Sequence, residues 1–254
     1  MSNPDLALYR LGGIPLVQPG DDLATLVLEA VERAGLRLEP GDVLAVAQKI
    51  MSKAEGRLVD LATVEAGDRA RQLAAETDKD PRVVELILGE SRRVVRKRPG
   101  LIIVEHRLGL ILANAGIDRS NVEGDEDQVL LLPEDPDASA RALSEALGRR
   151  TGVDPGVLCV DSLGRPWRLG TTGVAIGATG VSVVTDLRGT ADLFDRPMQV
   201  AEVAPADSIA AAAVLLMGEG AEGTPVVLVR GMPAPAGEQP ATAALRPAEE
   251  DLFQ

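Results

Sequence analysis

The sequence contains few cysteine, histidine and aromatic residues. Its 254 residues include one cysteine, Cys159, and one histidine, His106, which excludes an internal disulfide and a zinc site built from cysteine and histidine. The same scarcity excludes most Ser-His-Asp and Cys-His mechanisms. We expect Cys159 to be buried in a strand and His106 to lie on the surface. Because aromatic residues make up only 2%, the core must be aliphatic, which favours an α/β or α+β fold.

Positive charge is also scarce. The chain has 26 basic and 39 acidic residues and a net charge of −13, whereas binding a phosphate backbone needs the opposite sign, so we expect no nucleic-acid partner. The longest apolar run, Ile209 to Met217, is far shorter than the roughly 20 residues of a membrane span, and the N-terminus lacks the pattern of a signal peptide. These absences predict a cytoplasmic protein without membrane contact. An acidic chain that binds anionic ligands must supply local cations or metal ions.

Hydrophobic periodicity predicts helices mixed with strands. The predicted helices cover 23–35, two segments within 66–89 divided at Asp80 and Pro81, 135–150 and 206–217. The predicted strands cover 43–47, 157–160, 181–185, 198–203 and 225–230, and 93–113 has the short β-branched runs of strands and turns. The polar segment after Ala47 and the glycine-rich segment 163–180 are predicted to be irregular. Proline, alanine and glutamate dominate from Met232 onward, which predicts a mobile tail over 232–254 behind a domain over 1–231, with a candidate subdomain boundary near 150.

Three glycines, Gly218, Gly220 and Gly223, satisfy the pattern G-x-G-x-x-G. A dinucleotide-binding site needs this pattern after a strand and before a helix, whereas here it follows a predicted helix and precedes a strand, so that interpretation fails. Two alternatives stay open. The glycines let backbone N–H groups approach a phosphate while Glu219 holds a metal ion, or they simply end a helix beside an exposed glutamate.

Asp161 and Ser162 follow a predicted strand, where ligand contacts are common in open α/β sheets. A carboxylate beside a hydroxyl is a frequent way to hold Mg²⁺ or Mn²⁺. Arg165 and Arg168 flank Trp167, which suits an anionic ligand with a ring. The alternative is a loop that caps the core with Trp167.

Two further polar segments are candidates. In the segment 113–127, Asp118 could bind a second metal ion and Asn121 could contact a base or a sugar, although such a loop is often merely solvated. Lys49 and Lys53 could contact phosphates, but no G-x-x-x-x-G-K-[ST] motif precedes them, so the chain has no P-loop.

Taken together, these segments resemble the F420-0:γ-glutamyl ligase family. The matching blocks extend over nearly all of residues 8–231 and comprise GGIPLV at 12–17, SKAEGR at 52–57, NAGIDRSNVE at 114–123, LLLPEDPD at 130–137, DSLGRPWRLG at 161–170 and LLMGEG at 215–220. The resemblance implies a mixed α/β (α+β) fold without a P-loop, with two intertwined subdomains in a homodimer. It also implies GTP-dependent ligation of L-glutamate, and of further γ-linked glutamates, to F420-0 or dehydro-F420-0 in coenzyme F420 biosynthesis.

The resemblance also assigns the site. It implies two divalent cations, Mg²⁺ or Mn²⁺, with K⁺ as a further candidate, bound by Asp118, Asp161 with its neighbour Ser162, and Glu219. It places GTP on Ile14, Pro15, Leu16, Val17, Gln48, Lys49, Lys53, Asn121, Met217, Gly218, Glu219, Gly220, Ala221, Glu222, Gly223 and Thr224. Chemistry supports it, because activation of a carboxylate as an acyl phosphate needs positioning and charge neutralisation rather than a histidine or cysteine nucleophile. We therefore expect Asp161, Lys53, Arg165 and Arg168 to be catalytic.

Three departures from the family pattern matter. Gln48 and Lys49 stand where some members have Ser-Thr, so the contact with the nucleotide there is expected from the backbone. Gly173 stands where many bacterial members have an acid, which removes one acidic group from the expected site. Some relatives continue into a flavin-binding domain, which is not expected after Gln254. The rival interpretations are a ligase of the same chemistry acting on another carboxylate, and a GTP-binding protein without turnover.

Overall fold

A five-stranded sheet forms the centre of the fold, which we describe from a computed structural model covering residues 6–119, 127–232 and 237–252. The helices in these ranges are α1 (Leu23–Arg33), α2 (Gln48–Ala54), α3 (Asp68–Thr77), α4 (Pro81–Gly89), α5 (Pro136–Thr151) and α6 (Pro205–Met217). The strands are β1 (Ala7–Leu11), β2 (Val43–Ala47), β3 (Leu58–Asp60), β4 (Ser91–Arg98), β5 (Leu101–His106), β6 (Ile111–Ala113), β7 (Gln128–Leu130), β8 (Gly156–Arg165), β9 (Arg168–Thr179), β10 (Thr185–Asp186), β11 (Glu202–Val203) and β12 (Val226–Arg230). The predicted mixed α/β class is confirmed.

The central sheet has the strand order β1-β12-β2-β8-β9. Its neighbours are antiparallel except β2 and β8, which are parallel. Strands from both sides of residue 150 therefore lie next to each other. The subdomain boundary near 150, the intertwining and the homodimer stay predictions.

Helices cover both faces of this sheet. On one face α1 and α5 pack over an aliphatic core that includes Val27, Leu44 and Leu147. On the other face α6 packs through small side chains, of which Ala210 and Ala213 are fully buried. Small residues let the helix axis approach the sheet closely. The ends of α6 are therefore positioned by the sheet itself.

The glycine-rich segment 163–180 is regular, so the prediction of irregular structure there is wrong. It completes β8 and forms β9, an antiparallel hairpin. Cys159 pairs with Gly177 and Val160 with Ala175, so β9 has one extra residue at this point, a β-bulge. The bulge turns Gly173 toward α6 and Gly177 toward α5. A Cβ atom at Gly177 would lie 2.4 Å from the backbone of Pro136, which shows that this glycine serves helix packing rather than a loop.

Several other predictions can be compared with the structure. The polar segment after Ala47 is the helix α2 rather than a loop, because Ile50 and Met51 anchor it in the core. The division at Asp80 and Pro81 is confirmed: Asp80 caps α4 by accepting the backbone N–H of Arg82 at 2.8 Å. The strands predicted over 181–185 and 198–203 shrink to β10 and β11, which pair only with each other. Strand β1 was not predicted.

A second, three-stranded sheet lies beside the first. Its order is β4-β5-β6, and one of its faces packs on α3 and α4 through residues that include Val84, Ile87 and Val104. Strands β3 and β7 form a separate antiparallel pair.

Part of the tail contacts the domain. The backbone N–H of Ala241 donates to Asp137 Oδ1 at 3.0 Å, and Gln239 Oε1 accepts the N–H groups of Val183 and Val184 at 2.9 and 3.1 Å. The mobility of the tail stays a prediction. No helix within the described ranges is long and apolar enough to cross a membrane.

The two rare residues behave differently. Cys159 is fully buried in β8, as predicted. His106 is also fully buried, so the prediction of a surface histidine is wrong. Its Nδ1 accepts the N–H of Leu108 at 3.1 Å, and its Nε2 lies 3.4 Å from Glu90 Oε2. The Glu90 carboxylate, itself only partly exposed, lies beside the buried imidazole.

Glu90 joins three segments of the chain, which contain Arg57, Glu90 itself, and His106 with Arg107. Its Oε1 accepts Arg57 Nη2 at 3.0 Å and its Oε2 accepts Arg107 Nε at 2.9 Å. Burial alone would raise the pKa of Glu90, but hydrogen bonds from His106 and Arg107 and the charges of Arg107 and Arg57 outweigh burial and lower the pKa to about 2. The carboxylate is therefore held in its charged form.

Replacement of Glu90 with glutamine is expected to destabilise the protein in a pH-dependent way. The folded pKa lies below the ordinary value of 4.5, so the charged carboxylate stabilises the fold above that pH and loses its effect as the pH falls toward 2. We expect Glu90→Gln to lower the free energy of unfolding by about 2–3 kcal/mol at pH 7 and by clearly less at pH 3.5. Urea unfolding of both proteins at the two pH values measures this; an equal loss at both would contradict it.

Candidate active site

The strand directions bring four loops to one edge of the central sheet. Strand β2 ends at Ala47, opposite Val160 of the parallel strand β8. Gln48 and Lys49 follow β2 at this edge, and Asp161 and Ser162 are the first residues of β8 that extend past it. The sequence analysis predicted that the strand ends before Asp161. In the structure β8 continues to Arg165, and only the neighbouring strand β2 ends at this edge.

The other two loops reach the same edge because of two antiparallel pairings, β12 with β2 and β1 with β12. β12 runs opposite to β2, so the turn before β12 reaches the same edge, where Ala47 N–H donates to Pro225 O at 2.8 Å. β1 runs opposite to β12, so residues 12–17 leave β1 there as well. Candidate residues separated by about two hundred positions therefore meet.

These loops line a cleft of about 1280 Å³. Most of the sequence-predicted site residues line it: Ile14, Pro15, Leu16, Val17, Gln48, Lys49, Lys53, Asp118, Asp161, Ser162, Arg165, Arg168, Met217, Gly218, Glu219, Gly220, Ala221, Gly223 and Thr224. Glu222 does not line it; its Oε2 accepts the backbone N–H of Gly220 at 2.8 Å. Asn121 lies outside the described residues. The structure shows where these residues lie, and their roles stay predictions.

An acidic cluster lies in the middle of the cleft. Ser162 Oγ donates to Glu219 Oε2 at 2.9 Å, and the Ser162 N–H donates to Asp161 Oδ1 at 2.9 Å. Lys49 Nζ forms an ion pair with Asp118. Burial raises the pKa of Asp161 to about 6; the Lys49 charge and the Ser162 N–H oppose this rise, and Asp118 and Glu219 add to it. Asp161 is thus buried near two other carboxylates, Asp118, which is paired with Lys49, and Glu219, which is exposed.

Comparison with known proteins assigns the chain to a family. Residues 13–231 match the model of the family described as F420-0:Gamma-glutamyl ligase. The chain belongs to this family. Similar proteins named Coenzyme F420:L-glutamate ligase come from Methanopyrus kandleri, 46% identical over 98% of this chain and 99% of that protein, and from Methanothermobacter thermautotrophicus, 41% identical over the same shares. The protein of that name from Archaeoglobus fulgidus is 41% identical over 97% of this chain and 96% of its own length. The resemblance seen in the sequence motifs is confirmed.

The family block that starts at Asn114 contains a strained turn. Asn114, Ala115 and Gly116 have φ values of 51°, 55° and 65°, a left-handed conformation that costs a residue with a side chain about 1–3 kcal/mol. Ala115 is fully buried, and Asp118 exchanges two backbone hydrogen bonds with Leu130, each 2.9 Å long. The surrounding core and this pairing hold the turn, which directs Asp118 toward Lys49.

The family block DSLGRPWRLG forms the β8–β9 hairpin, whose tip extends beyond the sheet. Trp167 is 88% exposed, so the alternative in which it caps the core is wrong. Arg165 and Arg168 are exposed at the same tip and line the cleft. Lys53 lies one turn after Lys49 on α2 and lines it too. Four basic side chains thus face the acidic cluster from two elements.

The sequence interpretation missed one wall of the cleft, which belongs to the β4–β6 sheet and includes Val95, Arg96, Leu101, Ile103, Ile111 and Ala113. The sequence of β5, LIIVEH, indicated this wall, because its first four residues are apolar and therefore lie on both faces of the sheet. A strand that is apolar on both faces needs a cover on both. Helices α3 and α4 cover one face only. Asp251 of the tail also lines the cleft and was not predicted.

Proposed function

We propose that this protein joins L-glutamate to the carboxylate of F420-0, or of its dehydro form, with GTP as the energy source, in coenzyme F420 biosynthesis. The observation that carries the proposal is one cleft that combines an acidic cluster, five basic side chains and a large apolar wall. Family membership and the names of its relatives support the ligase activity. The charge pattern supports the nucleotide, because GTP, glutamate and the acceptor are all anionic.

The reaction needs two steps. A carboxylate is a poor electrophile, so an acceptor oxygen first forms a bond to the γ-phosphorus of GTP while the bond to the β-phosphate oxygen breaks, giving an acyl phosphate and GDP. The glutamate nitrogen then attacks the acyl carbon, phosphate leaves with the bonding electrons, and the nitrogen releases a proton. Phosphoryl transfer depends mainly on alignment and charge neutralisation. Lys53, Arg165 and Arg168 supply positive charge around the reacting groups, and Lys49 offsets Asp118.

The donor set fits divalent cations. Asp118, Asp161 and Glu219 with the Ser162 hydroxyl would hold Mg²⁺ or Mn²⁺, which prefer such oxygen ligands. Two observations support this fit: Ser162 links Asp161 and Glu219 by hydrogen bonds, and burial, with a smaller contribution from Asp118 and Glu219, raises the pKa of Asp161, so a nearby cation would favour its charged form. Bound cations would neutralise phosphate oxygens. Within the described ranges, no three acidic, histidine or cysteine side chains are already arranged around a common point that could hold a metal ion. The cations, and K⁺ as an additional one, therefore stay proposals.

The segments assigned to GTP lie at the β1, β12 and β2 side of the cleft. Residues 14–17 and the turn 217–224 offer backbone groups and small residues there, and Lys49, which pairs with Asp118, and Lys53 line the same cleft. With GTP on these segments, the γ-phosphate would lie beside Asp161.

The deciding experiment incubates the protein with F420-0, L-glutamate, GTP and either Mg²⁺ or Mn²⁺, and follows the acceptor mass and GDP release together. We expect stepwise mass increases that need every component, with one GDP for each glutamate added. GTP binding without GDP release or product would favour the binding-protein alternative, and GDP release without product would favour a ligase that acts on another carboxylate. Product formed with ATP but not GTP would overturn the nucleotide assignment.

A further inference from the structure

We infer that the exposed face of the β4–β6 sheet binds the flavin-like ring of the acceptor, an inference that rests on the proposed function. We call this surface the outer face and define it by Arg96, Leu101, Ile103, Ile111 and Ala113. The strand register places these side chains together, because Arg96 pairs with Ile103 and Ile103 with Ala113. Residues paired across a ladder share a face of the sheet.

The outer face is chemically unlike an ordinary solvent-exposed face. In β5, Ile102 and Val104 are fully buried against α3 and α4, while Leu101 and Ile103 on the opposite face are only half-buried. Ile111 on the edge strand β6 is 40% exposed. Leu101, Ile103 and Ile111 line the same cleft as the acidic cluster. Glu105 pairs with Ile111 and so belongs to the same face, where its charge is paired with Arg92 and Arg93. The aliphatic part of the face that lines the cleft suits a planar ring, which would cover it.

The order of elements along the sheet edge favours the acceptor over the nucleotide as the occupant. The segments assigned to GTP belong to the β1, β12 and β2 side. The outer face lies on the β8 side of the cleft. Strand β6 contacts β8, and Leu112 of β6 shares an apolar cluster with Leu163 of β8. The acidic cluster lies between them, at Asp161. A phosphoryl group that passes from nucleotide to acceptor must lie between the two molecules, so the acceptor occupies the β6 and β8 side.

Charge complementarity supports the same occupant. Arg96 stands at the rim of the outer face, and Arg165 and Arg168 stand on the neighbouring hairpin. A guanidinium can stack on an aromatic ring or pair with an anionic group. An acceptor that carries both a ring and a carboxylate would meet an aliphatic floor with basic side chains around it. The carboxylate end would then point toward the acidic cluster and Lys49.

The test compares Ile111→Asp with Val203→Asp, which puts the same charge on a 45% exposed strand residue that does not line the cleft. Acceptor binding is measured without GTP by the fluorescence of F420-0, and the KM values of F420-0 and GTP are measured separately. We expect Ile111→Asp to weaken acceptor binding and raise its KM at least tenfold, with the KM of GTP within twofold and Val203→Asp unchanged. Arg96→Gln, a milder surface change, should raise the KM of the acceptor several-fold.

Other results would overturn this inference, either alone or together with the proposed function. A wild-type protein that ligates, combined with an Ile111→Asp variant whose acceptor binding and KM are unchanged, overturns this inference alone. A higher KM for GTP with an unchanged KM for the acceptor assigns the outer face to the nucleotide and also overturns it. A wild-type protein that binds GTP but neither binds nor ligates F420-0 overturns the proposed function together with this inference. If Ile111→Asp loses its cooperative thermal transition, Arg96→Gln decides.

Discussion

Replacement of Asp161 with asparagine is expected to abolish ligation and, in metal-free protein, to increase stability. The activity loss should be about a thousandfold or more, because the Asp161 carboxylate lies in the cleft near Lys49, Asp118 and Glu219, where phosphoryl transfer would occur. The increase in stability has a separate cause. Burial and the neighbouring carboxylates Asp118 and Glu219 raise the pKa of Asp161 to about 6, so the charged form is disfavoured in the folded state.

The sign of the pH dependence follows from this shift. The folded pKa is above the ordinary value of 3.8, so the folded state binds a proton more tightly than the unfolded state, and stability falls as the pH rises from about 4 through 6. Asparagine cannot ionise. We therefore expect Asp161→Asn, in the presence of a chelator, to be more stable than the wild type by about 1–3 kcal/mol at pH 8 and nearly equal to it at pH 4.

Thermal and urea unfolding with EDTA, and the ligation assay with metal, measure the two effects. Asp68→Asn is the matched control: the Asp68 side chain is fully exposed beside Arg71, so its activity should be unchanged and its stability within about 0.5 kcal/mol. Added Mg²⁺ or Mn²⁺ should stabilise the wild type more than Asp161→Asn. A variant with more than a tenth of wild-type activity would overturn the catalytic role of Asp161, and a less stable variant at pH 8 would overturn the electrostatic explanation.

The predictable part of the fold is the part that depends on local patterns. Helix α4 begins where Asp80 caps it before Pro81, and β2 is a short apolar run between turn residues, so both could be located within a residue or two. Cys159 was likewise predictable as a small apolar residue in a buried strand. These features arise from neighbours in the chain.

The features that escaped prediction depend on distant residues. His106 is buried because Glu90 lies beside it and is itself held by Arg57, which no local pattern indicates. The outer face needed the register of three strands before its residues could be placed together. For the site itself, the motifs named residues from four loops, but only the parallel pairing of β2 with β8 explains why Lys49 and Asp161 meet. Strand order is a long-range property, so the sequence alone left it open.

Replacement of Gly173 with alanine is expected to destabilise the protein by about 3 kcal/mol or more. A Cβ atom at this position would lie 2.3 Å from the carbonyl oxygen of Ala210 in α6, and a helix backbone cannot move aside as a flexible side chain can. An acid at 173 would need α6 farther from the sheet, whereas here Ala210 and Ala213 bring the helix close.

The matched control is Gly164→Ala on the same hairpin, where a Cβ atom would meet no other atom within 4 Å. Because Gly164 lines the cleft, this control is used for stability only, which should change by less than about 1 kcal/mol. Urea unfolding compares the two variants. Ligation by Gly173→Ala should also fall, since α6 leads directly into the turn that carries Glu219, and a shifted helix would break the Ser162–Glu219 hydrogen bond. A Gly173→Ala protein as stable and active as the wild type would show that α6 is not held against β9 at this contact.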